Sequence, residues 1–447
     1  MIHKYIFKNS HIVLDVNSGA VHVVDRIVYD ILDFYGEWDV ASIVSKLKQY
    51  YAESEIRAAL QEIDALKESG LLFTDESHIE MAMLEKREAV VKAICLHVAH
   101  DCNMSCRYCF ADQGAFDGAR KLMSLETGQK ALDYLLQNSG TRHNLEVDFF
   151  GGEPLMNFEV VKQLVAYGRQ KEKDYDKSIR FTITTNGLLL DDDKTDYINA
   201  NMDNVILSID GRPEVHDQMR KTLNGKGSYA YIIDNYQKFI KKRQGLYYVR
   251  GTFTRDNLDF SKDVRHLVDC GFENVSVEPV VLAPTVDFAI KDCDLNQICM
   301  EYDKLAEMYL NYAEKGRKFE FFHFNIDLDQ GPCLIKRLSG CGAGTEYMAV
   351  SPEGDLYPCH QFVGNKSFVI GNLYDDHIEN HLYDTFNAAH IYNKDACLSC
   401  WAKFYCSGGC HANAFHANGD MRKPYVLGCE MERKRVECAI GIKAELI

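Results

Sequence analysis

Between residues 90 and 282 the chain repeats one rhythm: a short apolar or alternating run, then a longer stretch with apolar positions three and four apart. The short runs VVKAICLHV, LEVDFF, IRFTITT, NVILSID, YYVRGTFT and NVSVEPVVL predict strands. Stretches between them, such as SLETGQKALDYLLQNS and SYAYIIDNYQKFIKKR, predict helices. Repeated strand–helix units give an α/β fold with a parallel sheet and right-handed crossovers. Six units suit a partial (β/α)6, TIM-like barrel or an open sheet, and periodicity does not choose between them. In both, chemistry gathers at the carboxyl ends of the strands.

Residues 1–75 follow another pattern. The alternating segments YIFKNSHIVLDV and AVHVV predict strands, and DRIVYDILDFYG, DVASIVSKLKQYY and SEIRAALQEIDALKESG predict three helices. In the third, Ile56, Ala59, Leu60, Ile63 and Leu66 share a face, and Gly70 supplies the stop. Strands with three amphipathic helices suggest a winged-helix-like unit. The charged stretch around residues 76–90 reads as a linker to the barrel at 91–300, followed by a bridging region at 301–330. Beyond it, in residues 331–447, the rhythm fades and Cys, Gly and His become frequent, which predicts a segment stabilised by metal more than by a large core.

Composition narrows the function. No run approaches the roughly 18 apolar residues of a membrane span, and MIHKYIFKNS is no signal peptide, so the expected location is cytoplasmic, with no membrane partner. A net charge of −16 argues against a nucleic-acid partner, which needs clustered Lys and Arg. Sixteen cysteines in a long cytosolic chain favour metal ligation or catalysis over disulfides. Cys95, Cys270, Cys293, Cys299 and Cys438 stand singly in apolar or helical contexts and read as small buried hydrophobes.

The segment CNMSCRYCF places Cys102, Cys106 and Cys109 on the loop after the first barrel strand. Structural zinc usually arrives as two CxxC-type pairs; three thiolates without a near fourth fit an iron–sulfur cluster with one accessible iron better. Here the chain resembles the radical S-adenosylmethionine (SAM) superfamily, whose CxxxCxΦC signature carries an aromatic residue where Tyr108 stands. The resemblance implies a [4Fe–4S] cluster on the three cysteines, with SAM chelating the fourth iron and releasing a 5′-deoxyadenosyl radical on reduction. It also implies SAM contacts from GGEP (Gly151, Gly152, Glu153 and Pro154) after the second strand, with Glu153 as acceptor for the ammonium. Ser208 of SIDG, ending the fourth strand, and Arg220, a fork for the SAM carboxylate, complete the set. Taken alone, each tetrapeptide reads equally as a turn after a strand. No general acid or base is identified.

A second cysteine set reads Cys341–x12–Gly354–x4–Cys359, then Cys397–x2–Cys400–x5–Cys406–x3–Cys410, then Cys429. It resembles the SPASM extension of radical SAM enzymes in every spacing. The resemblance implies two auxiliary [4Fe–4S] clusters and so three in all: Cys397, Cys400, Cys406 and Cys429 hold one, and Cys341, Cys359 and Cys410 the other. The fourth ligand of the latter is either Cys333 or a substrate thiolate, with the open iron favoured. His411 and His416 receive no role.

The N-terminal unit resembles the peptide-recognition element of enzymes that mature ribosomally made peptides, which takes an extended leader as an added strand. A structural cap or a DNA-binding winged helix is the plainer reading. Over the whole chain, with YPCHQF and GCGAGTEYMAVSPEGDLYPC, the layout resembles the SCIFF (six cysteines in forty-five residues) maturases. That implies a thioether between a cysteine sulfur and an α-carbon in a cysteine-rich precursor peptide. A low-potential donor such as ferredoxin or flavodoxin would supply electrons. Anaerobic sulfatase-maturing enzymes, which form formylglycine, are the nearest alternative; they carry Asp where this chain has His360. An iron–sulfur electron carrier is the alternative of another class, and GGEP with Arg220 speaks against it.

Overall fold

The structure, a computed structural model, describes residues 1–76, 90–116, 118–328 and 334–446. Most of the linker expected at 76–90, and Cys333, lie outside the described residues.

The chain opens with an antiparallel sheet of β1 (Ile2–Phe7), β2 (Ser10–Asp15) and β3 (Val21–Val24), in that order. The segment YIFKNSHIVLDV therefore spans two strands. Phe7 pairs with Ser10 around Lys8, whose φ is +53°. A two-residue reversal keeps the alternation in phase, so hydrophobic period alone does not register it. Helices Arg26–Ile31, Val40–Leu47 and Glu53–Glu68 follow; Asp25 and Asp39 cap the first two by accepting the N–H of Val28 and Ser42. Ile56, Ala59, Leu60 and Ile63 of the third are buried as predicted.

The central sheet begins with β4 (Ala93–His100), off which come short β5 (Met104–Cys106) and β6 (Lys121–Leu122). Next are β7 (Asn144–Gly151), β8 (Ser178–Thr185), β9 (Asn204–Ser208), short β10 (Arg220–Thr222), β11 (Leu246–Phe253) and β12 (Asn274–Pro279). β4, β7, β8, β9, β11 and β12 lie side by side in chain order and parallel, and β13 (Glu320–Phe321) adds to β12. The sheet's end strands do not pair with each other, so the barrel is partial.

Its two faces divide cleanly. Val147, Phe149, Phe181, Ile183, Leu207 and Val249 are buried in the core under the helices. Glu146, Asp148, Arg180, Thr182, Arg250 and Thr252, one residue out of phase, line the interior.

The C-terminal segment differs from expectation at both ends. β14 (Tyr347–Val350) joins the barrel sheet in parallel beside β4, and carries β15 (Asp355–Tyr357) and β16 (Gly371–Asn372) outward. Helix Val426–Leu446 packs on helix Leu295–Glu314 and buries Met431, Val436, Ala439 and Ile440 in the main core. A segment expected to lean on metal thus shares the barrel's hydrophobic core, through pairings too distant in sequence for periodicity to reveal. Among the described residues no helix is long and apolar enough to cross a membrane.

Candidate active site

The loop carrying the cysteine triplet is fixed by its neighbours' main chain. β5 pairs antiparallel with β10, setting Cys106 opposite Arg220, and the Arg107 N–H donates to the Met219 carbonyl at 2.9 Å. The Cys102 N–H donates to Asp101 Oδ1 at 2.8 Å. GGEP closes the other side: the Gly152 N–H donates to the Ala99 carbonyl at 2.7 Å and the Glu153 N–H to the Asp101 carbonyl at 2.9 Å. A Cβ at Gly151 would stand 2.3 Å from the Ala99 oxygen, and one at Gly152 2.2 Å from that of Asp101. The two glycines therefore admit the cluster loop's own backbone.

Glu153 lines the cavity and is held by the main chain around it. It is fully buried; its Oε1 accepts the Leu155 N–H at 3.0 Å and the Thr185 hydroxyl at 2.7 Å, and its Oε2 the Asn186 N–H at 2.8 Å. Burial pushes its carboxyl up to about 7, against the pull of these donors. These three bonds tie the turn to the end of β8 and leave the carboxylate one further acceptor position. Pro154 is buried at the start of the short turn Pro154–Asn157.

The centre of the triplet's support is Asp210, buried and absent from the predicted set. Its Oδ2 accepts the Tyr108 hydroxyl at 2.6 Å; its Oδ1 accepts Arg220 Nε at 3.0 Å and the Thr252 N–H at 3.0 Å. The Arg220 guanidinium lies 5.5 Å from the centre of the Tyr108 ring. Arg220 and Ser208 both line the central cavity.

That cavity, of about 1040 Å³, is bounded by Cys102, Cys106 and Cys109 and also by Cys341, Cys406, Cys410 and Cys429. Cys359 and Cys397 are buried behind the last four, and Cys400 is half-buried. The ten thiols fall into three groups: Cys106 and Cys109 act on the Cys102 thiol, Cys410 and Cys341 on that of Cys359, and Cys429, Cys397 and Cys400 on that of Cys406. Burial first, then Glu153 and the neighbouring thiols, push the Cys102 thiol up to about 12; burial, then Glu432 and the neighbouring thiols, push that of Cys406 to about 12. Crowded desolvated thiols are relieved by a cationic centre. Among the described residues no three His, Cys, Asp or Glu side chains converge as on a single metal ion. Sets of three and four thiols suit the ligation of iron–sulfur clusters.

The remaining wall was missed. Cys95 lines the cavity, as does His360, whose Nδ1 is 3.2 Å from the Tyr347 hydroxyl and whose ring is 5.1 Å from that of Phe150. Burial, helped by the positive charge of Arg250, holds His360 down at about 4, so it is a neutral imidazole. Arg250 pairs with Glu278 at 2.7 Å, and burial pushes Asp148 up to about 7. The signal was present: in LEVDFF, IRFTITT and YYVRGTFT the polar residues fall on every second position, as for strands with a wet inner face. Of the cysteines assigned to burial, Cys95 and Cys438 are buried but Cys293 is exposed. His411 is buried, its Nε2 3.1 Å from the Ala389 carbonyl.

A family model for a 4Fe-4S single cluster domain matches residues 91–234, and one for the SPASM iron-sulfur cluster-binding domain matches 341–401. The radical SAM cyclopropyl synthase TigE of Paramaledivibacter caminithermalis is 22% identical over 420 residues, 88% of this chain and 84% of its own. The antilisterial bacteriocin subtilosin biosynthesis protein AlbA of Bacillus subtilis is 23% identical over 350 residues, 73% of this chain and 68% of its own. In fold, native anSMEcpe with bound AdoMet and the Cp18Cys peptide matches with a TM-score of 0.66 at 18% identity, covering 80% of this chain and 99% of that one. Streptococcus suis SuiB bound to precursor peptide SuiA matches at 0.56 and 15% identity, covering 96% and 98%. Together with the order and spacing of the cysteines, these matches make the chain similar to radical SAM and SPASM-domain enzymes over most of its length.

Proposed function

We propose that this chain is an enzyme that joins a cysteine sulfur to an α-carbon within a ribosomally made, cysteine-rich precursor peptide. The observation carrying this reading is the single cavity shared by the Cys102 loop and the Cys341/Cys359/Cys410 group: one bound peptide segment can reach both. A relative named for bacteriocin biosynthesis, and a structural neighbour holding a precursor peptide, support a peptide substrate.

Cys102, Cys106 and Cys109 would hold the SAM-binding cluster; Cys397, Cys400, Cys406 and Cys429 one auxiliary cluster; Cys341, Cys359 and Cys410 the other. When bound and reduced, the first group supplies one-electron cleavage of SAM and hydrogen abstraction. Arg220, with Nε committed to Asp210, keeps its terminal nitrogens for a carboxylate. Tyr108, Gly151, Gly152 and Ser208 shape the remaining SAM wall. Cys341 and Cys410 expose surface to the cavity, which leaves a substrate thiolate room to complete that group. His360, neutral and bonded to Tyr347, offers no charge there, where a sulfatase maturase would have a carboxylate.

The leader would add to β3. β1 is covered by helix Val426–Leu446, with the Tyr5 hydroxyl donating to the Glu437 carbonyl at 2.9 Å, whereas among the described residues β3 pairs only with β2. Val23 on that edge is 57% exposed. A low-potential ferredoxin or flavodoxin would donate electrons.

The test compares Cys102→Ala with Cys400→Ala in anaerobic protein given SAM, reductant and a candidate peptide. The first should abolish 5′-deoxyadenosine; the second should spare some of it while abolishing the peptide's loss of two hydrogens per crosslink. A formylglycine product would shift the reading to sulfatase-maturase chemistry. Equal total loss in both variants would mean that the groups have no separate roles.

A further inference from the structure

Lys394 is fully buried, immediately ahead of the short helix Asp395–Leu398 that carries Cys397. Its ammonium donates to the Gly408 carbonyl at 2.7 Å. Burial pushes its ammonium down, and the groups that oppose this are the sulfurs of Cys397, Cys406 and Cys429 from one auxiliary group and Cys410 from the other, which become anionic as cluster ligands. The neighbouring imidazoles of His390 and His411 are held low by burial and then by this same positive charge. Among the described residues Lys394 makes no ion pair with a carboxylate, whereas Lys403, the other buried lysine of this region, pairs with Glu76. A buried ammonium needs an anion, and here the sulfurs are the anion.

The acceptor is as unusual as the donor. Ser407, Gly408 and Gly409 have φ of +58°, +84° and +75°, three consecutive residues in the left-handed region. This run carries the chain from Cys406 in one group to Cys410 in the other. Such a run persists only where its surroundings over-determine it. The Ser407 N–H is anchored on the Lys403 carbonyl at 2.9 Å and the Gly409 N–H on that of Cys406 at 3.2 Å, and Lys394 holds the carbonyl between them. A Cβ at Gly408 would stand 3.1 Å from the Lys394 nitrogen.

We infer that Lys394 is a positioning residue shared by the two auxiliary sites, its ammonium the common counter-ion of the clusters they hold and its bond to Gly408 the brace that sets Cys406 against Cys410. This rests on the reading that these cysteines ligate clusters. A reduced cluster carries one more negative charge than an oxidised one, so a fixed buried cation favours the reduced form and raises both auxiliary potentials. The Cys102 group, outside its reach, is an internal reference.

The experiment is a spectroscopically monitored redox titration of anaerobic holoprotein, with iron content, for wild type, Lys394→Met and Lys394→Arg. Wild-type iron near about twelve atoms per chain tests the cluster reading by itself. Lys394→Met should shift both auxiliary midpoints to more negative potential and leave that of the Cys102 cluster in place; Lys394→Arg should move them back toward wild type. If Lys394→Met loses auxiliary iron, retention of iron and potential in Lys394→Arg supports the inference. Unchanged auxiliary potentials in an iron-replete Lys394→Met, or equal iron loss in both variants, would overturn it.

Discussion

At the scale of single residues, the site turns on Asp210. One buried carboxylate gathers Tyr108 from the cluster loop, Arg220 from β10 and the Thr252 N–H from β11. Asp210→Asn keeps the shape but leaves the Arg220 charge without its partner, a loss of about 3–5 kcal/mol when a buried pair is broken on one side. We expect a lower unfolding midpoint and SAM affinity weakened by about tenfold or more, read by anaerobic calorimetry. Tyr108→Phe removes one hydrogen bond, about 1 kcal/mol, and should weaken SAM about fivefold. Equal affinities in all three proteins would remove Asp210 from the site. The sequence named Ser208 from SIDG and passed over the Asp two residues on, because a strand-end acid reads equally as a turn residue. Its role depends on three partners from three elements, and no local spacing encodes that.

At the scale of elements, what could be read was the order of strands and the direction of chemistry along them. Six apolar runs became six parallel neighbours, because each is short and bounded by polar turns. What could not be read was pairing across distance: β14 reaches β4 from some 250 residues away, and only three-dimensional contact assigns it there. The free edge of β3 is of the same kind, legible as a strand but not as an edge. It gives the cleanest test of leader binding. Val23 is largely exposed, so Val23→Lys should fold normally while losing an apolar contact of about 1 kcal/mol. Affinity for a full-length precursor should fall about fivefold by fluorescence anisotropy, with uncoupled SAM cleavage unchanged. Unaltered affinity would exclude this edge.

At the scale of the whole molecule, burial sets the acid response and the docking of the N-terminal unit sets the iron. Burial holds His100, His216, His360 and His411 near 4 and His323 near 3. The unfolded chain takes up protons on these groups between about pH 6.5 and 4 that the folded chain refuses, so stability falls as pH drops through that window. Asp148 and Glu153, raised to about 7 by burial, act in the opposite sense but are fewer. The chemical unfolding midpoint of the holoprotein should therefore decline from about pH 7 to about pH 5, and a flat profile would contradict it. The N-terminal unit looked separable in sequence, yet β1 lies against the segment bearing the four-cysteine group. His3 stacks on Trp401, centroids 3.8 Å apart and planes within 2°, between Cys400 and Cys406; His3 also bonds Glu437 at 3.0 Å. Gly441 admits Phe7, and Lys403 pairs with Glu76. Deleting residues 1–75 would uncover Trp401 and the face of helix Val426–Leu446 that follows Cys429, and would free Glu76 from its anchorage at Thr74. We expect the truncated protein to lose about a third of its iron, from the four-cysteine group, while the Cys102 group still cleaves SAM. Val23→Lys should keep full iron. If truncation leaves iron intact and reduces only peptide affinity, the N-terminal unit is a recognition module alone, and its contact with the Cys397–Cys429 segment carries no stabilising load.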